Sequence, residues 1–223
     1  MLTLSMLREE IQAALQLTTL GKFSDASKLF ENVLLSVMFV PVESSDEEAE
    51  LFALRAQCRE YLLGLQMEQE RKETLASNDL RSLSLACYFS MCALSNDHLI
   101  LALRSALTQA YKLQCPSLAG RLARRLLQCE PPETTALQAR KVLVVAEKLP
   151  LNHTDPLTVH LGDSSGNPII DSRDFVPLAS SDRISSCPFC QAPYNAAYDG
   201  SLCTICKVAT VGQSASGLCC YEE

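Results

Sequence analysis

The residues in this chain that could do chemistry are concentrated in one twenty-residue stretch. Residues 187–206 read CPFCQAPYNAAYDGSLCTIC. Cys187 and Cys190 form one C-x2-C unit, and Cys203 and Cys206 form a second after twelve intervening residues. Two residues between thiolates let one tight turn present both sulfurs to a single ion. A second such turn completes the tetrahedral four-thiolate set that zinc takes in closed structural sites, with Zn–S bonds of about 2.3 Å. The intervening loop, with Pro193, Asn195, Asp199 and Gly200, is long enough for a short hairpin returning to the metal. A module this small builds little apolar core. Metal binding would therefore supply much of its folding free energy, on the order of 10 kcal/mol. The expected cofactor is structural Zn on Cys187, Cys190, Cys203 and Cys206, and such a closed site leaves no position for a substrate. Three other readings stay open: buried thiols packing as small hydrophobes, oxidised pairs, or a dithiol redox site. The redox reading wants a thioredoxin-like βαβ context, which this stretch lacks.

The chain has eleven cysteines in 223 residues, and the other seven lack this spacing. Cys58, Cys87, Cys92, Cys115 and Cys129 fall in helical sequence and are expected as buried packing thiols. Cys219 and Cys220 form a terminal pair, read as tail residues. His98, His153 and His160 join no Cys/His or Ser/His/Asp grouping, and His98, near a helix start, is expected to pack or cap. No phosphate loop, nucleophile elbow or H-E-x-x-H motif is present, so the chain is read as non-enzymatic. Arg8, Glu9 and Glu10 interrupt the N-terminal stretch too early for a secretory signal, and no apolar run reaches the roughly 20 residues of a membrane span. A cytoplasmic location with reduced thiols is expected. Net charge is −7, which argues against a broad nucleic-acid or anionic-lipid surface.

The elements that must position these cysteines differ along the chain. Residues 1–150 carry 16 basic and 18 acidic residues, net −2, and three of eight glycines. Residues 151–223 carry 3 basic and 8 acidic residues, net −5, and the other five glycines. Pro150 and Pro156 mark the joint. In the first part, apolar residues at three-to-four spacing predict helices over 4–20, 24–39, 46–72, 78–94, 97–113, 116–129 and 133–148. Gly21 should stop the first. Ser45 with Glu48 suggests a capping box for the third, and the acidic run 43–50 is read as its dipole-favoured first turn. That helix should leave through the solvated string EQERKE at 68–73. Asn96 or Asp97 can cap the fifth helix, and Pro116 suits the first turn of the sixth. Gly21, Lys22 and Phe23 followed by Ala26, Phe30 and Val33 match the second half of a tetratricopeptide unit. Ala119, Ala123, Leu126 and Pro131 give a weaker echo. The second part loses the helical period and reads as short strands and loops. The expected fold is α+β. A mainly helical, irregular solenoid over 1–150 precedes a small β module, zinc-ribbon-like, over 151–223.

Longer stretches carry a family resemblance. They are QLTTLGKFSDASKLFENVLLSV (16–37), CREYLLGLQMEQERK (58–72), HLILALRSALTQAYKLQCPSLAGRLARRLLQCEPP (98–132) and QARKVLVVAEK (138–148), followed by NPIID, FVPLA, CPFC and LCTICKVATVG. In order, and over nearly the whole chain, they resemble the C-terminal domain of the alpha subunit of coatomer, the COPI vesicle coat. Both C-x2-C pairs are complete here, and the ending SGLCCYEE departs from the family's usual hydrophobic tail. The resemblance implies a non-enzymatic coat scaffold that binds the coatomer epsilon subunit and other coatomer subunits. It implies a role in retrograde Golgi-to-ER and intra-Golgi transport, with membrane association only indirect, through the coat on the cytosolic face of the Golgi. The competing readings are a zinc-ribbon adaptor for nucleic acid, disfavoured by the acidic module, and a dithiol redox protein. A RING-type ligase would need eight ligands, and six cysteines lie in this part of the chain.

Overall fold

Helices form where the apolar positions recur every three to four residues, and local chemistry ends them. The computed structural model describes residues 2–74, 79–150, 153–161, 167–179 and 181–214. Among these are α1 (Leu4–Thr19), α2 (Phe23–Ser36), α3 (Ser45–Thr74), α4 (Asp79–Phe89), α5 (Asn96–Lys112), α6 (Pro116–Gln128) and α7 (Glu133–Glu147). The strands are β1 (Ile184–Ser186) and β2 (Pro193–Asn195), and 3-10 turns occupy Val37–Phe39 and Ala196–Tyr198. The fold is α+β and mainly helical, as the periodicity predicts. Gly21 ends α1 with φ of +73°, a conformation that costs glycine least. Pro116 occupies the first turn of α6, where its missing N–H is not needed. Cys219 and Cys220 lie outside the described residues.

The chain folds as two compact units, each gathered from separated stretches. The first contains the described residues of Met1–Leu17, Ser24–Leu62 and Ile169–Glu223. Its helical core is built on the tetratricopeptide-like signature. Ala26, Phe30 and Val33 are fully buried, and the Phe30 ring stacks on Tyr61 at 4.8 Å with a 22° interplanar angle. The small Ala26 side chain sits one turn from Phe30 and leaves room for close helix packing. Arg8 on α1 clasps Glu50 on α3 through two hydrogen bonds of 2.6 Å. The start of α3 is capped one residue earlier than Ser45. The Ser44 carbonyl accepts from the Glu48 N–H at 3.1 Å, and its hydroxyl accepts from the Glu47 N–H at 3.3 Å. The Glu47 carboxylate in turn accepts from the Glu43 N–H at 2.9 Å. Two Ser-x-x-Glu frames overlap in ESSDEE, and the backbone uses the first.

The second unit contains the described residues of Thr18–Phe23 and Leu63–Pro168. Leu83, Leu103, Leu118, Leu122 and Leu126 form its apolar interior. The string EQERKE is solvated only in part: Gln69, Lys72 and Glu73 are exposed, and the others are not. Glu68 is 8% exposed, and Arg71 donates to both its oxygens at 2.6 and 2.7 Å. Arg81 closes a second pair on Glu70 at 2.7 Å. The three-residue spacing lets Glu68 and Arg71 neutralise one another along α3, while Arg81 reaches Glu70 from α4. The A-x3-A echo on α6 also lies inside, with Ala119 and Ala123 fully buried. Between them Gly120 faces α7, where a Cβ would come within 2.5 Å of Ala146 Cβ.

That approach fixes the sign of a substitution. In an open helix Gly→Ala gains up to about 1 kcal/mol. Here Gly120→Ala must push α6 from α7 and should lose roughly 1–3 kcal/mol through overpacking. Urea unfolding of wild type and variant measures the difference, and a more stable variant would contradict the packing described.

Candidate metal centre

Each C-x2-C unit occupies the tip of an antiparallel pair, and the two tips are built alike. β1 and β2 pair with Ile184 opposite Asn195 and Ser186 opposite Pro193, so Cys187 to Ala192 form the turn. A single bridge between Leu202 and Thr210 frames Cys203 to Ala209 in the same way. The expected hairpin inside the twelve-residue loop is therefore replaced by hairpins around the cysteine pairs. The start of that loop is β2, which pairs backwards. The stretches at 158–161 and 174–179 form no strand of their own. One bridge, Ile170 with Pro177, is the ladder contact within 167–179 among the described residues.

In both tips the backbone turns around sulfur. The N–H of Cys190 points to Cys187 Sγ and that of Cys206 to Cys203 Sγ, each at 3.5 Å. The carbonyls of Cys187 and Cys203 accept from Gln191 and Lys207, each at 3.0 Å. Gln191 and Lys207 take left-handed conformations, with φ of +62° and +58°. This strain is of order 1 kcal/mol or more for a non-glycine residue and persists because the surrounding turn over-determines it. All four cysteines are buried. Cys187 and Cys206 sulfurs lie 3.6 Å apart, as do those of Cys190 and Cys203, and all four sulfurs fall within 4.8 Å of one another. A disulfide needs about 2.05 Å, so these are not bonded pairs. A tetrahedral site with bonds of about 2.3 Å has edges of about 3.8 Å, which the shorter contacts match. The cluster is compatible with zinc.

The electrostatics of the cluster are those of four groups competing for negative charge. Hydrogen bonds to Cys187, Cys203 and Cys206, together with burial, push the Cys190 thiol up. Hydrogen bonds from Cys187, Cys190 and Cys206 pull Cys203 down, and Tyr194 adds to this. Cys206 is drawn to about 6 by its bonds to Cys187 and Cys190. Without a compensating cation, only some of the four can be thiolates at once. Two contacts tie the tips to helices of the same compact unit. Arg59 of α3 donates to the Cys190 carbonyl at 3.4 Å, and Lys207 pairs with Glu31 of α2 at 2.7 Å.

Several participants had no spacing signal. Tyr194 is fully buried, with its hydroxyl 3.2 Å from Cys203 Sγ. Its one sequence mark is being the aromatic of a three-residue strand whose central position faces inward. Asp171 is buried 24 positions before Asn195 and accepts its N–H at 2.6 Å, which no local pattern announces. Of the five cysteines expected in helices, Cys58 and Cys87 lie in α3 and α4, Cys92 follows α4, and Cys115 and Cys129 flank α6. Cys58, Cys87, Cys92 and Cys115 are buried, Cys129 is half-buried, and burial pushes Cys58 and Cys87 up to about 12.

The histidines assemble no site. His160 is exposed. His153 hydrogen-bonds at 3.0 Å to Asp155, whose carboxylate caps α6 by accepting from Ser117 and Leu118 N–H at 3.2 and 2.7 Å. His98 is buried, with ring nitrogens 2.8 Å from the Thr19 hydroxyl and 3.1 Å from the Ser95 hydroxyl. Ser95, not Asn96 or Asp97, precedes α5, and it bonds this ring instead of a helix N–H.

Mainly helical architecture with a buried four-cysteine cluster on paired turns defines an α+β domain with a candidate metal centre. Residues 1–223 match the family described as the C-terminus of the coatomer (COPI) alpha subunit, and the chain belongs to that family. It is 37% identical over 217 residues to Coatomer subunit alpha-1 of Arabidopsis thaliana, covering 97% of this chain and 17% of that protein. It is 37% identical over 207 residues to Coatomer subunit alpha of Dictyostelium discoideum, covering 90% and 17%. It is 25% identical over 215 residues to Coatomer subunit alpha of Saccharomyces cerevisiae, covering 96% and 18%. The chain thus spans about a sixth of the length of these curated relatives. Among the described residues, no helix is long and apolar enough to cross a membrane.

His98 supplies a pH prediction. Burial lowers its pKa from the ordinary value, so the folded state favours the neutral ring. The unfolded chain binds the proton first, near pH 6.5. Stability should be complete above that pH and fall as pH drops below it, because the unfolded state then holds more protons. Urea midpoints between pH 8 and 5.5 should decline more steeply for wild type than for His98→Asn. Equal slopes would contradict this account.

Proposed function

We propose that this chain is a non-enzymatic scaffold domain of the COPI vesicle coat that docks the coatomer epsilon subunit. The observation that carries this reading is the family match along all 223 residues. The names of its relatives, Coatomer subunit alpha, support a coat assignment. The epsilon subunit follows from the resemblance of the whole ordered series of segments. On this reading the domain works on the cytosolic face of Golgi membranes and COPI vesicles, in retrograde Golgi-to-ER and intra-Golgi transport, contacting other coatomer subunits and reaching the membrane through the coat.

In this proposal Cys187, Cys190, Cys203 and Cys206 hold one structural zinc ion. Four buried sulfurs at near-tetrahedral spacing support the fit, and a thiolate-only donor set is what zinc takes in closed sites. The ion would neutralise charge among four crowded thiolates and join the two turns. A nucleic-acid adaptor is not favoured. Of the three cations after residue 150, Lys207 is paired with Glu31 and Arg173 lies over the Tyr198 ring at 4.7 Å.

Two measurements test these assignments separately. Elemental analysis of freshly purified, reduced protein should find one zinc per chain. Cys203→Ser should lose it, together with ordered structure over 184–211. Metal-free wild-type protein would overturn the zinc assignment. Calorimetric titration of the folded chain with the purified epsilon subunit should show saturable binding, and no heat or pulldown with a folded sample would overturn the docking assignment.

A further inference from the structure

We propose that Tyr194 is the positioning residue of the cysteine cluster: its phenol donates a hydrogen bond to the Cys203 thiolate and sets how tightly the site holds its ion. The proposal rests on reading the cluster as a zinc site.

The hydrogen inventory around the phenol supports it. The Tyr194 oxygen accepts from the Thr204 N–H at 2.9 Å. The Thr204 hydroxyl donates to the Ser172 carbonyl at 2.9 Å, so its hydrogen is committed. The phenol hydrogen has two acceptors in reach, Cys203 Sγ at 3.2 Å and Thr204 Oγ1 at 3.0 Å. Next to a neutral thiol the hydroxyl competes well. Once Cys203 is a thiolate the contact becomes charge-assisted, roughly twice as strong as a neutral bond, and the shared hydrogen shifts toward sulfur while Thr204 Oγ1 still draws on it. Among the described residues, Cys203 alone of the four receives a side-chain hydroxyl, in addition to the Cys206 N–H.

The fold holds that phenol in place from both sides. The Pro193 carbonyl accepts from Ser172 N–H at 2.9 Å. The Asn195 N–H donates to the Asp171 carboxylate at 2.6 Å. Asp171 is itself buried and accepts from Arg173 and Asp174 N–H at 2.8 and 2.9 Å. Residues 171 and 172 thus grip both neighbours of Tyr194 and, through Thr204, its hydrogen-bond partner. A ring needed only as filling would not require its oxygen to be met by the Thr204 N–H. Outer-shell donors of this kind change metal affinity by about 10–100-fold.

The test uses the whole chain loaded with Co(II) or Zn(II). Tyr194→Phe keeps the buried ring and removes the donor. It should release zinc to a competing chelator roughly tenfold more readily, and its sulfur-to-cobalt charge-transfer band should move to lower energy, because the sulfur lone pair is no longer stabilised. Thr204→Val removes the competing acceptor and should move the band the opposite way. Wild-type affinity and spectrum in Tyr194→Phe would overturn the proposal. A Thr204→Val band shifted in the same direction as that of Tyr194→Phe would overturn it as well, since packing rather than the phenol hydrogen would then govern the site. If Tyr194→Phe does not fold, the Thr204→Val band alone decides. Failure of wild type to take up either metal would instead defeat the zinc assignment itself.

Discussion

Four buried sulfurs within 4.8 Å of one another are the constraint on which the last part of this chain depends. Its strands are three residues long, and a two-stranded ladder of that length is not stable in water. The turns also hold Gln191 and Lys207 in left-handed conformations that non-glycine residues avoid. These costs are tolerable only if something joins the two turns across the cluster. Thiol packing joins them weakly. Thiolates would repel without a cation, and with one they become the strongest link in the module.

The helical part answers a different requirement, close approach between helices. It uses small residues at the contacts and large ones beside them. Ala26 precedes the stacked Phe30, and Gly120 sits between Ala119 and Ala123 under Ala146. The cysteine turns share a compact unit with α1, α2 and the start of α3 although about 120 residues lie between them. Arg59 on the Cys190 carbonyl and Glu31 on Lys207 are polar contacts across that interval. The exposed ion pair contributes little by itself. The contact to the carbonyl bears on the cluster, because it anchors the turn that aims Cys190.

Helix existence was legible in the sequence because periodicity and punctuation agree: Gly21, Pro116 and the A-x3-F step each act locally. The grouping of the four cysteines was legible for the same reason, since C-x2-C is a local turn. What was not legible depends on residues far apart in the chain. The sequence offers two Ser-x-x-Glu frames at the start of α3, and only the backbone selects Ser44. EQERKE looks solvated throughout until Glu68 and Arg71 neutralise each other along α3. Asp171 and Tyr194 carry no spacing rule, because their roles arise when residues 171–172 meet β2. The hairpins were misplaced because turn residues between the cysteine pairs are a weaker signal than the strand pairing that brackets each pair.

The site also narrows where a partner could engage. On the zinc reading the four-thiolate cluster offers no open coordination position, and two of the three cations after residue 150 are already engaged within the fold. The apolar surface left exposed on the helical part is distributed over both compact units. In the first unit it includes Phe39 and Phe52, and in the second Leu101, Tyr111 and Val145. Aromatic and aliphatic side chains of this kind anchor protein interfaces, whereas solvated charges mostly form their rim. Leu202 and Val208 beside the second cysteine pair are exposed as well, so apolar side chains of this kind stand on the cysteine module and on the helices alike.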